Sequence, residues 1–359
     1  MKRTRLFILT LAISLCASSM PAGAAAESAP GAPAVSAASA ALYDCESGRF
    51  LYLKDADTKR GIASTTKIMT ALVAIETLDL EKVVTFQRDW ITEGSSMHLR
   101  VGEKVSVRDL LYGLMLMSGN DAAISLANAA AGSVVDFADL MNDRAEKLGL
   151  SGTSFRNPNG LDVEGHYSTA RDLAILTAEA MKNPLFSEIV GSKTYVMEGR
   201  SMRNHNRLLR ELEGCDGVKT GFTKRCGRCL VSSVTRDGRR LIAVTLNAPS
   251  DWKDHKALYD YGFSTYPNRE LILEGDRSFF IPVMSGETGV VRAYADDTIS
   301  VGLTEEEYSR VERKLHIPKF VYAPVQAHAK AGEVLFLLDG EEIGRVTLRY
   351  ASAVKPSKT

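Results

Sequence analysis

The chain has 359 residues, of which 45% are hydrophobic and 25% charged, with 44 Lys+Arg balanced by 44 Asp+Glu. That length exceeds one typical domain and predicts two, and the composition is that of an ordinary globular protein. The even charge balance removes any bulk electrostatic reason to expect nucleic-acid binding, although it leaves room for a local cationic pocket.

The N-terminus reads as an address. Lys2, Arg3 and Arg5 precede an apolar run over residues 6–15, and Ala22-Gly23-Ala24 offers a small-residue cleavage signal. This is the pattern of a secretory signal peptide, assigned to residues 1–26. The run is too short for a transmembrane helix, and no later stretch is long and apolar enough to be one. Cys16 follows Leu15, a poor fit to a lipoprotein site. The predicted location is therefore extracytoplasmic, at the cell wall or in a periplasm. Export permits disulfides among Cys45, Cys215, Cys226 and Cys229. Cys226-Gly227-Arg228-Cys229 has C-x-x-C spacing, which suits zinc or redox work. With no second C-x-x-C and no clustered histidines, small buried residues in or beside a strand is the better reading. A bridge from Cys215 to Cys226 or Cys229 is left open.

Residues 27–39 are Ala-, Ser- and Pro-rich and read as a flexible lead-in. Two strands follow, over 41–44 and 49–53, around a Glu46-Ser47-Gly48 turn. A helix then opens at Ala63-Ser64-Thr65-Thr66-Lys67, and its continuation over 68–75 is apolar nearly all round, the mark of a buried helix. Ser106-Val107-Arg108-Asp109 is a capping signature for a buried helix over 110–117. That helix stops at Ser118-Gly119-Asn120, and an alanine-rich helix runs over 121–131. Another covers 137–148 and ends at Gly149. Residues 151–168 hold Asn157-Pro158-Asn159-Gly160, a strong turn signal, in what reads as a long ordered loop. Thr169 can cap a helix over 170–181. A strand is predicted over 218–223 and a hairpin over 230–235 and 241–246 around Asp237-Gly238. A helix over 252–261 is stopped by Gly262. Beyond residue 267 the helical periodicity fades into short β-rich runs, which suggest a small β-sandwich. The predicted domains are 40–267 and 268–350, with a tail over 351–359.

Ser64 and Lys67 carry the chemistry. Residues three apart on a helix share a face, so the Lys67 amine can lie beside the Ser64 hydroxyl. A serine hydroxyl is a weak nucleophile until a base takes its proton, and lysine becomes that base when burial or another cation lowers its pKa. S-x-x-K alone is a weak signal. An N-cap serine produces it too, and it recurs at Ser250/Lys253 and Ser352/Lys355. The order Ser64-x-x-Lys67, Ser118-x-Asn120, Lys219-Thr220-Gly221 is a strong one, with a single S-x-N and a single K-T-G in the chain. This trio marks penicillin-binding proteins and class A β-lactamases.

The surrounding motifs narrow the resemblance. They are Glu93-Gly94-Ser95-Ser96-Met97, Asp109-Leu110-Leu111-Tyr112-Gly113-Leu114-Met115, Gly119-Asn120-Asp121-Ala122-Ala123, Gly160-Leu161-Asp162, Gly165-His166-Tyr167-Ser168-Thr169-Ala170 and Lys219-Thr220-Gly221-Phe222-Thr223. Over about residues 36–265 the chain resembles the serine D-alanyl-D-alanine carboxypeptidases, the low-molecular-mass penicillin-binding proteins of peptidase family S11. The β-rich tail resembles that family's C-terminal domain through less specific motifs. The implied fold is α+β: an antiparallel sheet flanked by helices, as in β-lactamases and transpeptidases, then a small β-sandwich.

The resemblance implies that Ser64 attacks the carbonyl between the last two D-alanines of a peptidoglycan stem peptide. An acyl-enzyme then forms that water hydrolyses and that β-lactams imitate. Lys67 is the implied base, Ser118 a relay to the leaving amine, and Asn120 an orienting group for Lys67 and the substrate amide. Lys219 and Thr220 are expected to bind the terminal carboxylate. Gly221 is expected to let the peptide approach the strand, and the N–H groups of Ser64 and Phe222 to hold the oxyanion. No cofactor or metal is required, because the acyl intermediate divides the barrier. Arg207 matches an arginine in some relatives. It reads either as positive charge near the cleft or as a surface residue. His166 reads as a loop residue rather than a base.

Two features depart from the family or bear on its rivals. Many relatives end in an amphipathic membrane helix, whereas residues 350–359 here show no apolar face. A class A β-lactamase uses S-D-N where this chain has Gly119, and needs a loop glutamate. Glu164 lies in the candidate loop without the E-x-x-L-N pattern. A non-catalytic penicillin receptor and a cross-link endopeptidase are the remaining alternatives.

Overall fold

The computed structural model describes residues 31–197 and 199–358. The leader assigned to 1–26 lies outside the described residues.

Strands Ser39–Asp44 (β1) and Arg49–Lys54 (β2) form the first hairpin. A 3₁₀ turn, Ala63–Thr66, runs into Lys67–Thr77 (α1). A short ribbon of Val83–Thr85 (β3) and Lys104–Ser106 (β4) precedes Val107–Leu116 (α2). Asn120–Ala131 (α3), Val134–Lys147 (α4), Ala170–Met181 (α5) and Pro184–Gly191 (α6) follow. The caps read from sequence are formed: Asp109 N donates to Ser106 Oγ at 3.1 Å, and Asp172 N to Thr169 Oγ1 at 3.0 Å. A hairpin of Thr194–Met197 (β5) and Arg200–Arg203 (β6) and one short turn of helix, Leu208–Glu211 (α7), lead into Cys215–Thr223 (β7). Gly227–Arg236 (β8), Arg239–Leu246 (β9) and Asp251–Thr265 (α8) complete the larger domain.

Its sheet has the order β2-β1-β9-β8-β7, with every neighbouring pair antiparallel. The strands are buried on both faces, and the period of two sorts their side chains. Ile242, Val244 and Leu246 enter the core under α1–α6, whereas Leu241 and Ala243 join Leu258, Tyr259 and Tyr261 under α8. This places β7 at the open edge, beside the turn that carries Ser64. The lead-in is packed from Val35 onward rather than loose. Asp254 of α8 accepts from Ser36 N, Ser36 Oγ and Ala37 N at 2.7–3.1 Å, which ties the segment to the domain before β1 begins.

The second domain contains Asn268–Ile272 (β10), Phe279–Met284 (β11), Val290–Ala295 (β12), Ile299–Gly302 (β13), Glu312–His316 (β14), Val321–Tyr322 (β15), Lys330–Leu338 (β16) and Glu341–Tyr350 (β17). A six-stranded sheet, β14-β16-β17-β12-β11-β15, packs against the β10–β13 pair around Ile281, Val291, Val301, Val334 and Leu348. One element is unexpected, the helix Glu305–Ser309 (α9), which the Thr304/Glu307 capping box nucleates. Arg239 is nearly fully buried and packs on Gly302 of the second domain, where a Cβ would collide with its guanidinium. It donates to Asp44 Oδ2 through Nε and Nη2 and to the Tyr266 carbonyl through Nη1. Arg49 adds a bond to the Gly302 carbonyl at 3.2 Å and an ion pair with Glu307.

Candidate active site

Ser64 and Lys67 meet because their segment is 3₁₀ rather than α at its start. Three residues per turn eclipse positions i and i+3, and Lys67 Nζ lies 3.0 Å from Ser64 Oγ. The turn is forced. Ala63 holds φ +47°, in the left-handed region that a Cβ disfavours, and Thr65 N–H and Oγ1–H both donate back to the Ile62 carbonyl. Ser118, at the bend between α2 and α3, also sits in this region at φ +59°. Such conformations persist where surrounding packing over-determines them.

Lys67 is fully buried, and its amine has two further partners: Asn120 Oδ1 at 2.7 Å and the Asn159 carbonyl at 2.6 Å. Both can only accept a hydrogen bond. A neutral amine gives its two hydrogens to them, and its lone pair then faces the Ser64 hydroxyl. Burial, reinforced by the Lys219 charge, holds Lys67 well below the ordinary lysine pKa, against a smaller opposing effect of Asp121. Lys219 is itself buried, donates to the Thr220 carbonyl at 2.9 Å, and is pushed down to about 7 by burial.

The Asn120 amide is fixed from outside. Its Nδ2 donates to the Glu93 carbonyl at 2.7 Å, which turns Oδ1 toward Lys67, and its backbone N–H donates to the Ser95 carbonyl at 2.7 Å. The 93–99 loop that supplies these carbonyls is gathered by Asp121. Asp121 accepts from Met97 N (3.0 Å), Ser96 Oγ (2.6 Å), Leu99 N (3.1 Å) and its neighbour Ala122 N (2.9 Å). Gly94, at φ +90°, has no room for a side chain: a Cβ there meets Asn120 Nδ2 at 2.7 Å.

The 151–168 loop closes the other side. His166 Nδ1 accepts from Arg156 N at 3.0 Å, so its Nε2 carries the hydrogen toward Thr66 Oγ1, 2.8 Å away. Thr66 Oγ1 donates to the Ala63 carbonyl at 2.8 Å. Burial depresses the His166 pKa to about 4, so it is a neutral tie between loop and helix. Gly160 passes so close to the Ser64 turn that a Cβ there meets the Ala63 carbonyl oxygen at 2.0 Å.

Gly221 also meets the chain's own backbone. A Cβ there meets Ser64 N at 3.1 Å and the Ile62 carbonyl oxygen at 3.2 Å, so the bare strand admits the chain's own Ser64 turn. Thr220 and Phe222 flank it on β7, and the Phe222 side chain is 64% exposed. Arg207 stands apart from the Lys67–Lys219 cluster. It is half exposed just before α7, pairs with Glu211 at 2.9 Å and faces Trp252. The residue of that segment within electrostatic reach of Lys219 is His205, whose pKa is lowered by burial and then by that charge. Cys45, Cys215, Cys226 and Cys229 are all free, so the bridge left open above is not formed. Cys226 donates to Asp162 Oδ1 at 3.0 Å, and a Cβ on Gly61 meets its sulfur at 2.4 Å. The Cys226 and Cys229 thiols pack against Gly61, three residues before Ser64.

Sequence reasoning missed Asp121, Asn159, Gly160 and the tie made by His166. Asp121 and Gly160 lie inside the quoted motifs, but their partners are distant in sequence or backbone atoms, which a one-dimensional pattern does not expose.

A half-buried serine beside a buried lysine amine, set between helices and the edge strand of an antiparallel sheet, is the arrangement of the penicillin-recognising serine enzymes. The chain belongs to the D-alanyl-D-alanine carboxypeptidase family, peptidase family S11, whose sequence profile matches residues 25–250. The profile of the penicillin-binding protein 5 C-terminal domain matches residues 266–356. D-alanyl-D-alanine carboxypeptidase DacF of Bacillus subtilis is 34% identical over 322 residues, covering 85% of this chain and 82% of that protein. The crystal structure of penicillin-binding protein 5 from Haemophilus influenzae aligns with a TM-score of 0.72 at 29% identity, covering 90% of this chain and 98% of that one. The Streptomyces K15 DD-transpeptidase aligns at 0.62 and 37% identity, covering 65% and 99%.

Proposed function

We propose that Ser64 is the acyl-carrying nucleophile of this serine-type D-alanyl-D-alanine carboxypeptidase, and that Lys67 is its base. The observation that carries the reading is that Lys67 Nζ lies within hydrogen-bond reach of Ser64 Oγ and of two pure acceptors, so a neutral amine gives both its hydrogens to the acceptors and turns its lone pair to Ser64 Oγ. Ser64 Oγ attacks the penultimate D-alanine carbonyl as its proton passes to Lys67. The oxyanion is held by the N–H groups of Ser64 and Phe222. The proton returns through Ser118 to the departing D-alanine amine, and water attacks the acyl-enzyme with Lys67 again as base. Lys219 and Thr220 take the terminal carboxylate. β-Lactams acylate the same oxygen. The protein acts outside the cytoplasm after loss of the 1–26 leader. Among the described residues no single helix is long and apolar enough to cross a membrane.

A class A β-lactamase mechanism is disfavoured by the loop: it offers Lys67 the Asn159 carbonyl, while Glu164 is exposed. The test is D-alanine release from a peptide ending in D-Ala-D-Ala, with Ser64→Ala as control. Release by the wild type alone is expected. Release by both would remove Ser64 from the role, and fast nitrocefin turnover would favour the β-lactamase.

A further inference from the structure

A second concave surface lies beyond the edge strand. Arg207, Arg228, Trp252, Lys253 and Lys256 line a groove of about 520 Å³ between the α7 turn, β8 and the start of α8. The guanidinium carbons of Arg207 and Arg228 lie 5.4 and 5.8 Å from the Trp252 ring centre, so one indole carries two cations. The four cationic side chains face two carboxylates. Asp251, which is buried, binds Arg228 at 3.0 Å, and Glu211 is shared between Arg207 at 2.9 Å and Lys256 at 3.2 Å. The groove therefore keeps an excess of two positive charges, by four against two, on side chains that remain 40–51% exposed for the three paired cations.

The groove lies on the α8 face of the sheet, and the Ser64 turn meets the opposite face at the open β7 edge. Arg228 is the cross-strand partner of Phe222, the residue that follows Gly221 on β7, and Gly221 packs on Ser64 N. A polymer whose scissile peptide lay along the β7 edge would reach the groove by turning over that edge past the exposed Phe222. Cations set on an aromatic base beside a peptide-binding edge suit carboxylates displayed on a polymer, because guanidinium forks take carboxylates bidentately.

We propose that this groove binds carboxylates of the polymeric wall substrate outside the scissile D-Ala-D-Ala pair, such as those of a neighbouring stem peptide. This rests on the carboxypeptidase reading for the identity of the polymer, but its test does not depend on turnover. Co-sedimentation of the full chain with purified uncross-linked peptidoglycan is compared for wild type and Lys253→Glu/Lys256→Glu, with Lys104→Glu/Lys147→Glu as a control of equal charge change on distant exposed positions. The groove variant is expected to bind about tenfold more weakly and the control like wild type. Binding is expected to weaken as salt rises from about 50 to 200 mM, because exposed charges are screened. Glycan stripped of its stem peptides is expected to lose the difference. Equal binding by wild type and the groove variant overturns the inference, as does an undiminished difference on stripped glycan. Loss of wild-type binding to polyphosphate but not to added stem peptide would assign the groove to phosphate polymers instead. In a parallel assay, cleavage of a short D-Ala-D-Ala peptide reports the carboxypeptidase reading separately. If that cleavage fails while the binding difference stands, the reaction is wrong and the groove survives.

Discussion

The backbone oxygen of Asn159 lies 2.6 Å from Lys67 Nζ, so the far loop of the domain supplies one of the two pure acceptors on that amine. The loop reaches that position through Gly160, whose φ of +85° and contact with the Ala63 carbonyl leave no space for a methyl group. Gly160→Ala is expected to destabilise the protein by more than about 3 kcal/mol, since backbone and not a flexible side chain must move. Urea unfolding measures this. A folded variant of wild-type stability with normal acylation would refute the close approach.

Lys67→Ala, tested by rapid mixing with a β-lactam, is expected to slow acylation by about 10³-fold or more, because it removes the proposed base and leaves the Asn120 Oδ1 unsatisfied. Lys67→Arg is not expected to rescue it, because a guanidinium stays protonated. Rescue by arginine would mean that the position needs only charge.

The proposed roles of the two lysines predict opposite limbs of the pH profile. Lys67 must be neutral to take the Ser64 proton, so kcat/KM rises with pH through its depressed pKa. Lys219 must be cationic to hold a carboxylate, and its free-enzyme pKa is about 7, so kcat/KM falls as pH rises beyond that. Lys219→Arg is expected to lose activity overall through the tight fit, yet to move the alkaline limb upward by more than one pH unit, because arginine does not deprotonate. An unmoved limb would assign that ionisation elsewhere.

Asp121 touches neither Ser64 nor Lys67 in any hydrogen bond, yet it gathers the loop that turns the Asn120 amide. Asp121→Asn puts an NH₂ where N–H donors converge. Acylation is expected to drop about 10- to 100-fold, the usual scale for an orienting partner, with KM for small substrates changed less than kcat. Asp121→Glu is expected not to restore it. A loss confined to melting temperature would leave Asp121 purely structural.

Acid should loosen the loop before it damages the carboxylates. His166 is neutral in the fold with a pKa near 4, below the ordinary 6.5, so the unfolded chain takes up the extra proton between these values. Stability is therefore complete above about pH 6.5 and is lost as pH falls toward 4. His255, on the face of α8 that packs on the sheet and depressed to about 3 by burial, adds to the same slope and extends it lower. Melting curves from pH 7 to 4 are expected to show the decline, and His166→Gln to show a shallower one from a lower start.

The sequence by itself determined the parts with short-range causes. Helix caps at Ser106 and Thr169, the Asp237-Gly238 hairpin and the all-apolar continuation of the Ser64 helix follow from local hydrogen bonds and periodicity. The Ser64/Lys67, Ser118/Asn120 and Lys219/Thr220/Gly221 pairs and triplet were legible because each lies within one turn or strand. Tertiary structure decided what joins them. That Gly221 admits the Ser64 turn, that a loop carbonyl orients Lys67, that Asp121 acts through the 93–99 loop and that Arg207 faces Trp252 across a groove all depend on atoms far apart in the chain. The physical reason is that backbone acceptors and the charge of Lys219 act through space. Any residue offers the same carbonyl, and only packing sets which one meets Lys67.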